Sequence, residues 1–233
     1  IVQNMQVLRN RLSGSIKKNK DIATESGISI EAIEQYVEKR GLQKIIESVQ
    51  DAGNRAAKII ENMLNFSYKA NSVYTLHKIP DLLEQTIDLA KNDYTLKKKF
   101  QFKEIEIIRE YDENTPRVPC EGSSIQQVFF NLLKNGAHAM GDNDKQTEAP
   151  RFYLSVKPVK DKVQIIIQDN GPGMDEDTQS RIFKPFFTTK EIGEGTGLGL
   201  SVSHFIIKEN HSGTISVETA PGQGAKFVIE LPV

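Results

Sequence analysis

At 233 residues the chain can hold one sizeable domain and a smaller element, and 30 Lys and Arg against 31 Asp and Glu leave no charge excess to draw it to nucleic acid or an anionic membrane. The single cysteine, Cys120, rules out an intramolecular disulfide and a Cys-rich metal site, fits a reducing compartment and reads as an inert thiol. No apolar run approaches the roughly 20 residues that span a bilayer and no signal-peptide pattern opens the chain, so this piece is expected to be soluble.

The chain opens without a methionine, inside what reads as a helix, and is expected to be a fragment of a longer protein. Ile1, Met5, Leu8 and Leu12 step at helical spacing. Ser13 to Gly27, polar and glycine-containing, reads as a loop, and Ile30, Ile33 and Val37 as helix leading into a long segment. From Leu42 the positions Leu42, Ile45, Val49, Ala52, Ala56, Ile59, Met63 and Phe66 step by three and four, a heptad seam that Ile46 and Ile60 widen. A seam with flanking apolar positions suits a helix covering more than one neighbour. The first helix is therefore expected antiparallel to the long one, and two copies of this hairpin close a four-helix bundle as a homodimer. A monomeric hairpin packed on its own globular domain is the alternative. The predicted boundary lies near Asn71 and Ser72, giving a helical domain over 1–71 and a second domain over 72–233.

In the second domain Tyr74 to Lys78 reads as a short strand, and Pro80 opens a helix through Leu82, Leu83, Ile87 and Leu89. Ile105 to Tyr111 is a β-branched run, broken by Thr115, Pro116 and Pro119. Ser123 to Met140 reads as a helix. Projected at about 100° per residue, it sets Ile125, Val128, Phe129, Leu132, Leu133, Gly136, Ala139 and Met140 in one arc, with Gln127, Asn131, Lys134, Asn135 and His138 opposite. That second face is either a solvated surface or, because it carries amides and no carboxylate, a set of oxygen donors for a hard cation holding phosphates. Phe152 to Val156 and Val163 to Ile167 read as a hairpin around Lys160, Asp161 and Lys162. Alternation along the second strand points Asp169 inward with Val163, Ile165 and Ile167, where a carboxylate needs a donor such as the amino group of adenine. Gly171 and Gly173 let the backbone approach a flat ring, although an Asn-Gly turn with a capping Asp would read the same way. Glycines 193, 195, 197 and 199 precede a helix with Leu198, Val202, Phe205 and Ile206. They form a mobile phosphate-binding segment, or a plain flexible loop, that matches neither a P-loop nor a dinucleotide fingerprint. Ile215 and Val217, a turn over Pro221 to Gly224, and Phe227, Ile229 and Leu231 form a closing antiparallel pair. Strands and helices mix without a βαβ repeat, which predicts an α+β sandwich with one sheet covered by helices on one face.

Asn131, Asn135, DNGPGM, FKPFFTTK, GEGTGLGLS and the late GQGA, in that order and spacing, resemble the ATP-binding domain of sensor histidine kinases of the nitrogen-regulation-type subclass. Their superfamily includes gyrase and the heat-shock and mismatch-repair ATPases. The resemblance covers about Val73 to Val233, and the heptad helix is similar to the second helix of the kinase dimerisation domain. It implies ATP and Mg²⁺ as cofactors, with the metal at Asn135, Asn131 beside it and adenine on Asp169. It sets phosphates near Lys134, Lys190 and a lid of Gly195, Gly197 and Gly199. Asn131, Lys134 and Lys190 become the catalytic set. Gly171, Gly173, Phe183, Thr188, Thr189, Thr196, Leu198 and Ala225 join the nucleotide-contacting set. A response-regulator receiver domain is implied as partner, beside the homodimer, with a cytoplasmic location and no nucleic acid or membrane contact.

Three departures qualify the resemblance. Gly136 stands where Ala is usual, at about 1 kcal/mol of helix propensity. Ala225 stands where Thr is usual and lacks its hydroxyl. Ile1 to Leu12 contains no phosphoacceptor histidine, and His77, His138, His204 and His211 lie outside any such context, so the acceptor is expected upstream. Asn131 cannot act as the base that activates water in hydrolytic relatives, which favours transfer to a side chain. The rival readings are a hydrolysing ATPase of the same superfamily and a non-catalytic dimerisation and docking module.

Overall fold

The described residues of the computed structural model are 2–67, 74–93, 96, 102–141, 148–190 and 195–233, with the side chains of 2, 55 and 57–67 left aside. The chain divides into two compact units, Ile1–Asn65 and Phe66–Val233. Asn71 and Ser72, where the sequence places the boundary, lie outside the described residues, as does Gly193 of the glycine-rich segment.

The first unit is all helical, with α1 (Val2–Arg11), α2 (Lys17–Glu25), α3 (Ile30–Lys39) and α4 (Leu42–Ser67). The expected loop from Ser13 to Gly27 is wrong: most of it is α2. Gly14 and Gly27 fall outside that helix, while its interior of Lys, Ala, Thr and Glu has no breaker, and Ala23 gives it a buried anchor. Glu34 Oε1 accepts from the Gly14 N–H at 2.8 Å, and Asn19 Nδ2 donates to the Asn10 and Ser13 carbonyls at 2.7 Å each, fixing the entry into α2. The Ser29 hydroxyl caps α3 by accepting from the Ala32 N–H at 3.0 Å. Along α4, Ile46 is buried whereas Ile45 and Val49 are 55% and 38% exposed. The heptad seam is thus left open by the single chain, and so are Val7 and Leu8 of α1.

The second unit holds β1 (Thr75–His77), α5 (Ile79–Asn92), β2 (Glu106–Tyr111), β3 (Val118–Cys120), α6 (Gly122–Gly141), β4 (Arg151–Val159) and β5 (Lys162–Asp169). After these come α7 (Glu176–Arg181), α8 (Gly199–Phe205), a π-helical turn over Ile206–Asn210, β6 (Thr214–Thr219) and β7 (Ala225–Pro232). Five strands form a mixed sheet in the order β2-β4-β5-β7-β6, with β2 parallel to β4 and the other neighbours antiparallel. Strands β1 and β3 pair separately. Pro119, expected to break the chain, sits inside β3. Its neighbours Val118 and Cys120 are buried while Pro119 faces out, and a short two-stranded ribbon tolerates a missing N–H.

The inward rows of the sheet carry Phe152, Leu154 and Val156, then Val163, Ile165 and Ile167, then Phe227, Ile229 and Leu231. Leu83 and Ile87 of α5, Val128, Phe129, Leu132 and Leu133 of α6, and Val202 of α8 supply the helical side of the core. Period-2 strands and period-3.6 helices bury one face each, so a two-layer sandwich results. His138, expected on the polar face of α6, is 7% exposed, and Ala139, expected in the apolar arc, is half-buried. The last turn of α6 is therefore covered on a broader arc than its middle. Burial pushes the Cys120 thiol up to about 11, which keeps it protonated at neutral pH.

Candidate functional site

Strand β5 extends to Asp169, and its register sets that residue between Phe152 of β4 and Ala225 of β7. Asp169 is 6% exposed. Its Oδ1 accepts from the Gly171 N–H at 2.9 Å and the Ala225 N–H at 3.3 Å. Burial pushes the carboxyl above the usual carboxylate range, against the pull of the Gly171 and Ala225 donors and of its own backbone N–H. No other described residue donates to Oδ2, so one carboxylate oxygen is fixed by neighbouring backbone and the other is open to a ligand donor. Ala225, predicted as a contact without the usual hydroxyl, contributes its backbone N–H instead. Gly173 adopts φ 68° with the Ala220 carbonyl oxygen where a Cβ would stand, so only glycine fits that turn.

The inward wall beside Asp169 is Gly136 of α6. A methyl there would lie 2.5 and 2.8 Å from Phe152 Cε1 and Cζ and 3.2 Å from Asp169 Cβ. Phe152 occupies the room a helix alanine would take. Phe152 was not predicted as a site residue, because nothing local in the sequence shows that it faces Gly136.

Asn135, next to Gly136, and Asn131, one turn earlier on α6, are both half-buried. Asn135 Oδ1 accepts from Lys190 Nζ at 3.5 Å, which joins α6 to the FKPFFTTK segment. Thr188 Oγ1 accepts from the Lys190 N–H at 3.1 Å, and Gly195 lies against both residues. Asn131 Nδ2 donates to the Gly199 carbonyl at 3.2 Å and to Ser203 Oγ at 3.3 Å, which joins α6 to the start of α8. Gly197, φ 65°, packs its backbone against that of Phe186 with no space for a side chain. Leu198 is buried at the foot of α8, and Phe183 stacks on His204 at a ring separation of 5.3 Å. Lys134 and Thr189 are exposed and Thr196 is half-buried, each adjacent in sequence to a residue named above.

These groups lie along α6: a buried carboxylate end at Asp169, and an end where the amides of Asn131 and Asn135 stand beside the Lys190 ammonium. Asn135 Oδ1 already faces an ammonium group, the kind of oxygen that a hard cation also takes. Among the described residues no three His, Cys, Asp or Glu side chains cluster, so a metal here would be held by amide and phosphate oxygens. A cleft of about 570 Å³ between His77, Lys78, Asp81, Arg117 and Glu121 lies at the N-terminal end of α6 and shares none of these residues. His211 does not join the site. It is buried, with Nε2 accepting from the Glu121 N–H at 3.1 Å and Nδ1 2.8 Å from the Ile206 carbonyl, and it holds the π turn to the start of α6.

Residues 120–233 match the family described as histidine kinase-, DNA gyrase B- and HSP90-like ATPase. Sporulation kinase E of Bacillus subtilis (strain 168) is 34% identical over 180 residues, covering 77% of this chain and 22% of that protein. The nucleotide-free catalytic domain of histidine kinase ThkA is 30% identical with a TM-score of 0.56, covering 68% of this chain and 95% of that domain. Histidine kinase ThkA in complex with the response regulator protein TrrA gives 25% identity and a TM-score of 0.62, covering 96% of this chain and 63% of that one. The chain spans 20% to 42% of the length of the curated relatives compared.

Proposed function

The chain belongs to the sensor histidine kinases, and on that premise we propose that it binds Mg²⁺·ATP and transfers the γ-phosphate to a histidine of a dimerisation helix, for relay to a receiver aspartate. The observation that carries this reading is the divided Asp169 carboxylate, one oxygen held by two backbone donors and the other left for the amino group of adenine. Asn135 and Asn131 present amides toward the phosphate end, Lys134 and Lys190 add positive charge, and the segment through Gly195, Gly197 and Gly199 closes over the phosphates. Gly171, Gly173 and Ala225 line the base. Phe183, Thr188, Thr189, Thr196 and Leu198 support the lid. Bound Mg²⁺ would neutralise charge on the phosphate oxygens. This chain's residues orient the nucleotide and exclude water, and Asn131 offers no base to activate a water, which supports transfer over hydrolysis.

The division into a dimerisation domain over 1–71 and a catalytic domain over 72–233, the nitrogen-regulation-type subclass and a cytoplasmic location belong to the same proposal. Support for a homodimer comes from the open seam at Ile45 and Val49, and support for a response-regulator partner from the ThkA complex. Among the described residues no helix is long and apolar enough to cross a membrane.

The test pairs calorimetric titration of an ATP analogue, with and without Mg²⁺, with phosphotransfer to a supplied acceptor helix carrying His followed by Glu or Asp. Metal-dependent binding and label on the acceptor histidine are expected. Phosphate release without acceptor, at a rate comparable to transfer, would mark a hydrolysing ATPase. Absence of nucleotide binding would mark a docking module.

A further inference from the structure

Asn131 spends its nitrogen end entirely on α8. Its Nδ2 donates to the Gly199 carbonyl at 3.2 Å and to Ser203 Oγ at 3.3 Å. Ser203 lies one turn beyond Gly199 and is 0% exposed. Its own hydroxyl hydrogen goes back to the same Gly199 carbonyl at 2.9 Å, which leaves its lone pairs to accept from Asn131. The three groups close a ring of hydrogen bonds between the middle of α6 and the residue at which the glycine-rich segment becomes α8.

This ring fixes the amide by chemistry. A carbonyl oxygen can only accept, so a flipped Asn131 would set two oxygens against each other and leave its N–H groups elsewhere. With Nδ2 consumed, Oδ1 is the polar atom of Asn131 that has no partner among the described residues. It stands on the same helix face as Asn135, whose Oδ1 already attracts the Lys190 ammonium. We propose that Ser203 is a positioning residue: it locks Asn131 so that an amide oxygen faces the phosphate-bound cation, and ties that oxygen to the hinge where the lid enters α8. The proposal rests on the Mg²⁺·ATP reading of the site.

The experiment has two readouts on Ser203→Ala. In the metal-free, nucleotide-free protein, NMR follows hydrogen exchange of the Asn131 side-chain amide. Protection of the amide is expected in the parent, and exchange at least about tenfold faster in the variant. Titration of an ATP analogue then gives affinities with and without Mg²⁺. The metal-free affinity is expected to hold, while the gain on adding Mg²⁺ falls about 5- to 10-fold, the loss of one buried neutral hydrogen bond. If the alanine variant does not fold, Ser203→Cys, nearly isosteric but a weaker donor and acceptor, is read by the same measurements. Unchanged exchange with an unchanged Mg²⁺ gain overturns the proposal. So does an equal loss of affinity with and without Mg²⁺, which is ordinary structural damage. A parent protein that binds no nucleotide refutes the proposed function instead, and it overturns the cation-facing role while the exchange measurement still reports whether the ring exists.

Discussion

On the proposed reading of the site the two oxygens of Asp169 have different tasks, and one substitution separates them. In Asp169→Asn the retained Oδ1 keeps the Gly171 and Ala225 donors, so the turn survives, but an NH₂ replaces Oδ2 and faces the amino group of adenine donor to donor. A lost charged hydrogen bond plus an unpaired donor costs about 2–3 kcal/mol, so ATP affinity should fall on the order of 30- to 150-fold by calorimetry, with the fold intact by circular dichroism. The same change carries a pH signature. Because burial raises the folded-state pKa of Asp169, the folded chain keeps a proton over a window in which the unfolded chain has lost it. Parent stability therefore falls as pH rises from the ordinary carboxylate value through the raised one, and that part of the slope should vanish in the asparagine variant. Thermal melts from pH 4 to pH 8 measure it; parallel curves would mean the carboxyl is not strained by burial.

Elements with a strong local period were legible in the sequence: α6 and β5 each bury one face, and alternation alone carried Asp169 inward. The helix α2 was not, because Gly14 and Gly27 read as loop punctuation although they only flank a breaker-free interior. The contact of Asn131 with Ser203 was invisible for another reason. It spans 72 positions and depends on how α6 and α8 lie together, which no local pattern encodes. Gly136 shows how a residue that breaks a local rule is explained by packing between elements. Helix propensity favours alanine there by about 1 kcal/mol, but a methyl 2.5 Å from Phe152 Cε1 forces α6 off the sheet, and overpacking of this kind costs about 1–3 kcal/mol. Gly136→Ala should therefore lower stability by about 1 kcal/mol, and in a Phe152→Leu background, where the ring edge is gone, the same change should become neutral or favourable. Chemical denaturation of the four proteins in the cycle gives the coupling, expected at about 1–2 kcal/mol. Additive effects would show that Phe152 does not fill the place of the missing methyl.

At the scale of the whole molecule, the two units pose different burial problems. Unit Phe66–Val233 covers its sheet and closes its own core, with Phe129, Phe152, Leu133 and Ile165 fully buried. Among the described residues of unit Ile1–Asn65 an apolar seam stays open. On α4, Ile46 is 6% exposed, yet Ile45 and Val49, which carry the heptad register, remain on the surface together with Val7 and Leu8 of α1. A run of apolar side chains at heptad spacing gains little in water and is stabilised when a second copy covers it. Ile45→Asp with Val49→Asp places two carboxylates in that seam, and desolvating them there would cost several kcal/mol, enough to convert the proposed dimer to monomer. Neither side chain is part of the core in the single chain, so the melting of unit Phe66–Val233 and its ATP titration should stay at parent values. Sedimentation velocity reads the mass directly. A double variant that still sediments as a dimer would locate the interface away from this seam. A monomer whose ATP titration had also weakened would show that nucleotide binding depends on the pairing of the helices.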